Sequence, residues 1–312
     1  MAAALALSER GRGLTAPNPN VGCVIVAEGR VVGRGWTQPG GRPHAEAMAL
    51  EEAGAKSRGA TCYVTLEPCA HASPRGPACA DLLVAAGVAR VVIALGDPDP
   101  RTNGKGAQRL GDAGVEVVEG AAEAPGRTAM AGFLTRRAKG RPFVTLKLAT
   151  SLDGCIALAS GASRWITGPE ARAHAHLERA RHEGILVGRG TYETDAPKLD
   201  VRLPGLTRSP RRFLLSSADA EGWETIRTPA DIARLEGVDH LLVEGGAQTA
   251  AAFLREGLVD RLLLYRAPIL IGGGKPALGD IGLADLAGAH GRWRLADTRM
   301  LGSDRLEVYA SH

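Results

Sequence analysis

Residues 63–69 read Tyr63-Val64-Thr65-Leu66-Glu67-Pro68-Cys69, a β-rich run that stops at a proline and presents a cysteine at the strand end. A second cysteine, Cys79, stands at the start of a helical stretch over residues 80–86 that closes at Gly87. Upstream, Pro43-His44-Ala45-Glu46 leads into a helical pattern over residues 45–53. Further out, residues 21–26 are an apolar run, Glu28-Gly29 a turn, and residues 30–34 a second strand. Downstream, residues 91–95 form another apolar strand closed by Asp97-Pro98-Asp99-Pro100. A helix near residues 105–113 and a strand near 115–119 follow. This alternation predicts an α/β fold, a sheet covered by helices.

The same stretch carries chemistry. His44, Cys69 and Cys79 are an imidazole and two thiols, a donor set that suits zinc. Three protein ligands rather than four leave one position open for water, as a catalytic zinc requires. Helix starts at His44 and Cys79 help to keep the thiols ionised. Glu46 lies two residues beyond His44, an offset that aims its carboxylate over the metal without binding it. A glutamate so placed in zinc deaminases moves protons between water, ring nitrogen and leaving ammonia. The zinc-deaminase signature has two residues between its cysteines, whereas here nine intervene. A purely structural zinc would need a fourth ligand, for which His71 is available.

The chain has 312 residues, which sets an expectation of two domains. Forty-one glycines with only 4% aromatic residues suit tight strand–helix turns and argue against a stacking platform for single-stranded nucleic acid. The net charge of +4 is mild, with no dense run of Lys or Arg, so no nucleic-acid partner is expected. It suits a binder of phosphorylated small molecules. Residues 1–7 are apolar but lack a basic flank and read as an amphipathic helix rather than an export signal. No stretch has the length of a membrane span, so no membrane partner is expected. Five cysteines (Cys23, Cys62, Cys69, Cys79, Cys155) in such a chain point to metal or catalytic use and a cytoplasmic location.

Residues 121–140 are rich in Ala and Gly and then basic, a helix running into a linker, which places a boundary at about Pro142. The expected domains are residues 1–142 and 143–312. The second opens with a strand at residues 143–149. Strands at 185–187, 213–215, 241–243, 261–265, 293–295 and 305–309 follow, with helices at 169–181 and 247–256. Glu244-Gly245-Gly246 joins an apolar strand to a helix, where the backbone can approach a phosphate. The first strand of this half is not followed by G-x-G-x-x-G, which disfavours a Rossmann reading.

The first half resembles the deaminase domain of the bifunctional riboflavin-biosynthesis deaminase/reductases. The matching stretches are residues 17–26, 43–46, 63–69 with His71, 79–81, and 97–106 around Gly104-Lys105-Gly106. The second half resembles the reductase domain of the same family. Its matches are residues 143–149, Ser151-Leu152-Asp153-Gly154, Ser163 with Trp165-Ile166-Thr167-Gly168, Ile185-Leu186-Val187-Gly188, and Val243-Glu244-Gly245-Gly246-Ala247. Thr191, Asp195, Pro197, Leu199 and Arg202 continue that pattern.

The resemblance implies a cytidine-deaminase-like α/β/α domain followed by a dihydrofolate-reductase-like α/β domain. It implies hydrolytic deamination of 2,5-diamino-6-(5-phosphoribosylamino)pyrimidin-4(3H)-one, with zinc on His44, Cys69 and Cys79, Glu46 catalytic, and Asn18 and His71 near the substrate. It implies NADPH-dependent reduction of the ribosyl group to ribityl. NADPH would then lie against Thr150, Trp165, Thr191, Ser217, Gly246, Ala247, Gln248, Thr249, Ala250, Ala251 and Ala252. The phosphorylated ribosyl substrate would contact Ser163, Arg179, Asp195, Leu199, Arg202 and Glu244. It also implies a homo-oligomer. No 2′-phosphate reader stands out, and Arg211 and Arg212 are the nominal choice.

Four departures from the family pattern are visible. The loop over residues 70–78 is one residue longer than usual, the stretch 217–238 is shorter, Ala196 follows Asp195 where the family often carries a polar residue, and the usual Asn and paired aromatics near residues 130–134 are reduced to Phe133. Two other readings fit the zinc motif alone: a single-activity nucleoside or tRNA deaminase with a degenerate appendage, and a non-catalytic zinc-stabilised binding module. Glu46 argues against the module, since a structural site has no use for an unligated carboxylate beside the metal.

Overall fold

Apolar runs of the first half pair into a five-stranded sheet in the computed structural model, which describes residues 1–71, 73–206 and 208–312. Ala72, within the 70–78 loop, lies outside the described residues. Contacts divide the chain into two units, Met1–Gly140 and Arg141–His312.

In the first unit the elements run α1 (Ala2–Ser8), β1 (Gly22–Ala27), β2 (Arg30–Trp36), α2 (Ala45–Ala53), β3 (Thr61–Val64), α3 (Cys79–Ala86), β4 (Arg90–Ile93), α4 (Lys105–Asp112), β5 (Glu116–Val118), α5 (Glu123–Ala129) and α6 (Ala131–Lys139). Sheet order is β2-β1-β3-β4-β5. β1 runs antiparallel to both β2 and β3, while β3, β4 and β5 are parallel. Glu28 and Gly29 both have positive φ, which is the backbone a two-residue hairpin turn requires.

Two glycines show why both faces are covered. Successive strand residues point to opposite faces. At Gly22 an added Cβ would fall 1.9 Å from the Ala4 carbonyl, so α1 lies directly on one face. Gly35 pairs with Cys23, the next residue along, and its Cβ would fall 2.0 Å from the Ala45 carbonyl, so α2 lies on the other. The result is the α/β/α layering expected from the sequence. Cys23, Ile25, Cys62, Val64, Val91 and Ile93 pack with Ala49 and Leu83 in the core.

The second unit contains β6 (Phe143–Thr150), β7 (Cys155–Ala157), α7 (Pro169–Ala180), β8 (Gly184–Gly188), α8 (Arg189–Asp195), β9 (Arg211–Leu215), β10 (Glu224–Ile226), β11 (His240–Val243), α9 (Ala247–Arg255), β12 (Arg261–Arg266), β13 (Lys275–Pro276), β14 (Trp293–Leu301) and β15 (Asp304–Ser311). Its main sheet has the order β10-β9-β8-β11-β6-β12-β15-β14. The strands from β10 to β12 are parallel, and β15 and β14 complete the sheet antiparallel. Leu186 of β8 packs into a core with Phe213 and Phe253. Its neighbours Ile185 and Val187 join a separate cluster with Leu199 and Leu242, so both faces of this sheet are covered. The short elements β7, α8, β10 and β13 have no counterpart in the sequence reading. No helix among the described residues is long and apolar enough to cross a membrane.

Candidate active sites

In the first unit His44, Cys69 and Cys79 come together, with one ligand atom from each lying within 4.8 Å of the others. His44 caps the start of α2, and Cys79 is the first residue of α3. The His44 Nδ1 atom lies 3.3 Å from the Cys79 Sγ and 3.7 Å from the Cys69 Sγ. Cys69 reaches the same point from the loop after β3. The Cys79 backbone N–H donates to the Cys69 Sγ at 3.3 Å, and the Ala80 N–H donates to the Cys69 carbonyl at 3.2 Å. A hydrogen bond from the Cys79 thiol, with help from His44, pulls the Cys69 thiol down to about 4, while the same contact and burial push Cys79 up. Cys69 is thus the more readily ionised of the two, and the thiolate is the form that binds metal. An imidazole and two buried sulfurs converging from two helix starts and the loop after β3 fit zinc.

Glu46 is the second residue of α2, in its first turn, and is 3% exposed. Burial pushes its carboxyl up. It borders a cavity of about 240 Å³ that Asn18, His44, Cys69 and His71 also line. A second hollow of about 310 Å³ opens beside His44, Arg75 and Cys79. The Asn18 amide donates to the Gly41 carbonyl at 2.8 Å, which holds its side chain at the cavity rim. His71 does not join the metal group; its Nδ1 lies 3.4 Å from the Thr102 hydroxyl.

Several residues that sequence reasoning left without a role belong to this site. Glu67, beside Pro68-Cys69, is buried, and its carboxylate accepts N–H groups from Asp97, Gly104, Gly106 and Ala107 at 2.9 to 3.2 Å. A negative charge at the start of α4 satisfies orphan donors of that helix. It also ties the 97–107 segment to the strand end that delivers Cys69. A Cβ at Gly106 would meet the Pro68 carbonyl at 2.0 Å, which explains a glycine there. Arg101 and Arg137 grip Asp99 at 2.6 and 2.7 Å, and this holds its carboxyl well below the usual range. Burial pushes nearby Asp97 up to about 6. The signal for this wall was the Asp97-Pro98-Asp99-Pro100 stretch, a recognisable motif whose partners are distant in sequence.

In the second unit most of the expected residues gather at the C-terminal ends of the parallel strands, where ligands bind in open α/β sheets. Thr150 ends β6, Thr191 lies on α8, Ser217 follows β9, and Gly246 caps α9. The Gly246 N–H donates to the Thr191 hydroxyl at 3.2 Å. Within the 246–252 stretch, Gln248 is exposed and Gly246 and Ala247 are half-buried. Ala250 and Ala251 are wholly buried, which leaves the first turn of α9 as the accessible part of that stretch. Trp165 is 66% exposed and lies under the Arg172 guanidinium at 4.8 Å.

Arg179 and Glu244 form a buried bidentate pair at 2.8 and 2.9 Å, and the remaining Arg179 nitrogen donates to the Asp200 carbonyl at 3.1 Å. Burial opposes the Glu244 charge, but Lys147 and Arg179 outweigh it and hold the carboxyl at about 2. Lys147 lies 3.8 Å from Glu244 and was not singled out from sequence. Asp195 lies 3.6 Å from Arg164, and Arg202 lies 2.9 Å from Asp200. The Leu199 side chain is buried in the core, which leaves only its backbone to meet a ligand. Ser163 is half-buried on the loop that carries Trp165.

Comparison with known proteins matches both halves. Residues 1–95 fit the cytidine and deoxycytidylate deaminase zinc-binding region, and residues 142–223 and 230–306 fit the RibD C-terminal domain. The riboflavin biosynthesis protein RibD of Escherichia coli (strain K12) is 40% identical, covering 97% of this chain and 96% of its own. That of Aquifex aeolicus (strain VF5) is 38% identical over 92% of this chain and 90% of its own. Among solved structures, Acinetobacter baumannii RibD superposes with a TM-score of 0.88 at 35% identity, covering 100% of this chain and 97% of that one. A Thermotoga maritima diaminohydroxyphosphoribosylaminopyrimidine deaminase/5-amino-6-(5-phosphoribosylamino)uracil reductase does so with a TM-score of 0.89 at 32% identity, over 100% and 97%. A zinc-binding deaminase domain followed in one chain by a reductase domain, matched along nearly its whole length, makes this protein a member of the RibD family of bifunctional riboflavin-biosynthesis enzymes.

Proposed function

We propose that the first unit hydrolyses the amino group of 2,5-diamino-6-(5-phosphoribosylamino)pyrimidin-4(3H)-one and that the second reduces the ribosyl group of the product to ribityl with NADPH. The observation that carries the first step is the convergence of His44, Cys69 and Cys79 beside buried Glu46. Zinc held by these three side chains would bring the pKa of water close to neutrality. Glu46 takes one proton from the attacking water and gives it to the ring nitrogen; it then takes the second from the hydroxyl added to the ring carbon and passes it to the amino group, which leaves as ammonia as the carbonyl forms. Asn18 and His71, on the cavity wall, orient the heterocycle.

For the second step, NADPH supplies the hydride that goes to C1 of the ribosyl unit. Lys147, Arg179 and Glu244 form the charged floor against which that sugar is held. Arg202 and Ser163 face its phosphate and hydroxyls. The first turn of α9 faces the phosphates of the cofactor, with Thr191 fixing Gly246 at its start. A cytoplasmic location and a homo-oligomer accompany this reading, supported by five unpaired cysteines and by the family resemblance. Fractionation and light scattering test them.

Glu46→Gln tests the proton-transfer role. The variant should fold and keep its zinc while ammonia release falls about 10²- to 10⁴-fold. Loss of zinc, or retained deamination, contradicts the role assigned to Glu46.

A further inference from the structure

The basic pair Arg211-Arg212 does not reach the cofactor end of the sheet. β9 runs parallel to β8 with Arg211 opposite Gly184 and Leu215 opposite Gly188, so both arginines sit at the N-terminal edge. Arg211 is held there by Glu224 at 2.9 and 2.7 Å, and Arg212 by the Gly222 carbonyl at 3.1 Å.

The opposite edge carries a different pair. Arg189 directly follows β8, Ser216 and Ser217 follow β9, and Arg227 directly follows β10. These are three neighbouring strand ends, and β11, whose end leads into α9, lies on the other side of β8. The Arg189 Nε donates to the Ser216 hydroxyl at 2.8 Å, and its Nη2 donates to the Ala218 carbonyl at 2.6 Å. Arg227 donates to the Ser216 carbonyl at 3.1 Å and to the Asp219 carboxylate at 2.6 Å. Two guanidiniums thus converge on one serine turn from both sides. Their side chains remain 30% and 48% exposed.

We infer that Arg189 and Arg227, with the Ser216-Ser217 turn between them, form the subsite that reads the 2′-phosphate of the nicotinamide cofactor and so select NADPH over NADH. The inference rests on the reductase reading above. Neighbouring strands lie about 4.8 Å apart, so the turn is about 10 Å from the start of α9. A ribose phosphorylated at both 5′ and 2′ positions spans such an interval. Guanidinium forks match phosphate oxygens in geometry and charge.

The groups now on these arginines are weak competitors. Asp219 is 82% exposed, and Glu193, 3.7 Å from Arg189, is 63% exposed. Ion pairs this open contribute little and yield to a better-placed dianion. Asp219 has the opposite preference, because a carboxylate at a strand end accepts from a free ribose 2′-hydroxyl.

Calorimetric titration of the full chain with NADPH, NADH and 2′,5′-ADP tests the assignment. The unmodified protein should bind NADPH more tightly than NADH. Arg189→Gln and Arg227→Gln should each narrow the NADPH/NADH affinity ratio about tenfold to a hundredfold and weaken 2′,5′-ADP by the same factor. Asp219→Asn should widen the ratio. A ratio unchanged in the arginine variants, or equal losses for both cofactors, overturns the inference while leaving the reductase reading intact. Failure of the unmodified protein to bind either cofactor overturns both.

Discussion

Carboxylates are put to opposite uses in the two units. Glu46 is buried beside His44, Cys69 and Cys79, and burial pushes it toward its neutral form, which suits the proton carrier proposed above. Glu244 is half-buried and lies against Lys147 and Arg179, which favour its charged form. The consequence for stability has a definite sign. Its carboxyl sits at about 2 in the folded chain against 4.5 unperturbed, so the folded state is favoured above pH 4.5 and loses that advantage as pH falls toward 2. The shift corresponds to about 3 kcal/mol. Glu244→Gln should lower the melting temperature at pH 7 and flatten its decline between pH 5 and 3, read by thermal unfolding across that range. An unchanged slope would show that the Glu244 pair is not ionised as described.

Elements decide where those residues stand. The helix α2 carries both His44 and Glu46, and it rests directly on the strand backbone at Gly35. A Cβ there would lie 2.0 Å from the Ala45 carbonyl. Gly35→Ala should therefore push α2 outward, cost about 1–3 kcal/mol, and reduce zinc content and ammonia release together. Metal analysis alongside a melting curve checks it; a variant with full zinc and full activity would contradict the close packing. The strongly patterned elements were legible in the sequence: the expected helix at 45–53 is Ala45–Ala53, and the expected strand at 241–243 is His240–Val243. The short ones were not. β7 and β10 are three residues each, too short for periodicity to register, and they exist because a neighbouring strand pairs with them. The same limit applied to the sites. His44, Cys69, Cys79 and Glu46 could be read because their types and spacing are specific to one chemistry. The part played by Glu67 could not, since its N–H partners at residues 97–107 reach it only through the fold. Nor could the capture of Arg179 by Glu244, which the sequence offered as two separate substrate contacts.

At the level of the whole molecule, one chain joins two units with separate cores, Met1–Gly140 and Arg141–His312. Each carries a different apparatus: a His/Cys/Cys group with a buried glutamate in the first, and a row of strand ends with a helix start in the second. Their chemistries are ordered by their substrates, because the second unit acts on what the first releases. His44, Cys69 and Cys79 converge even though nine residues separate the two cysteines. The most direct measurement is a two-signal assay on the zinc-loaded full chain, with the diaminopyrimidinone ribosyl phosphate as substrate and ammonia release and NADPH oxidation followed separately. Ammonia should appear first, followed by NADPH oxidation to the same extent. NADPH oxidation without ammonia, or neither signal from folded and zinc-loaded protein, would contradict a deaminase feeding a reductase.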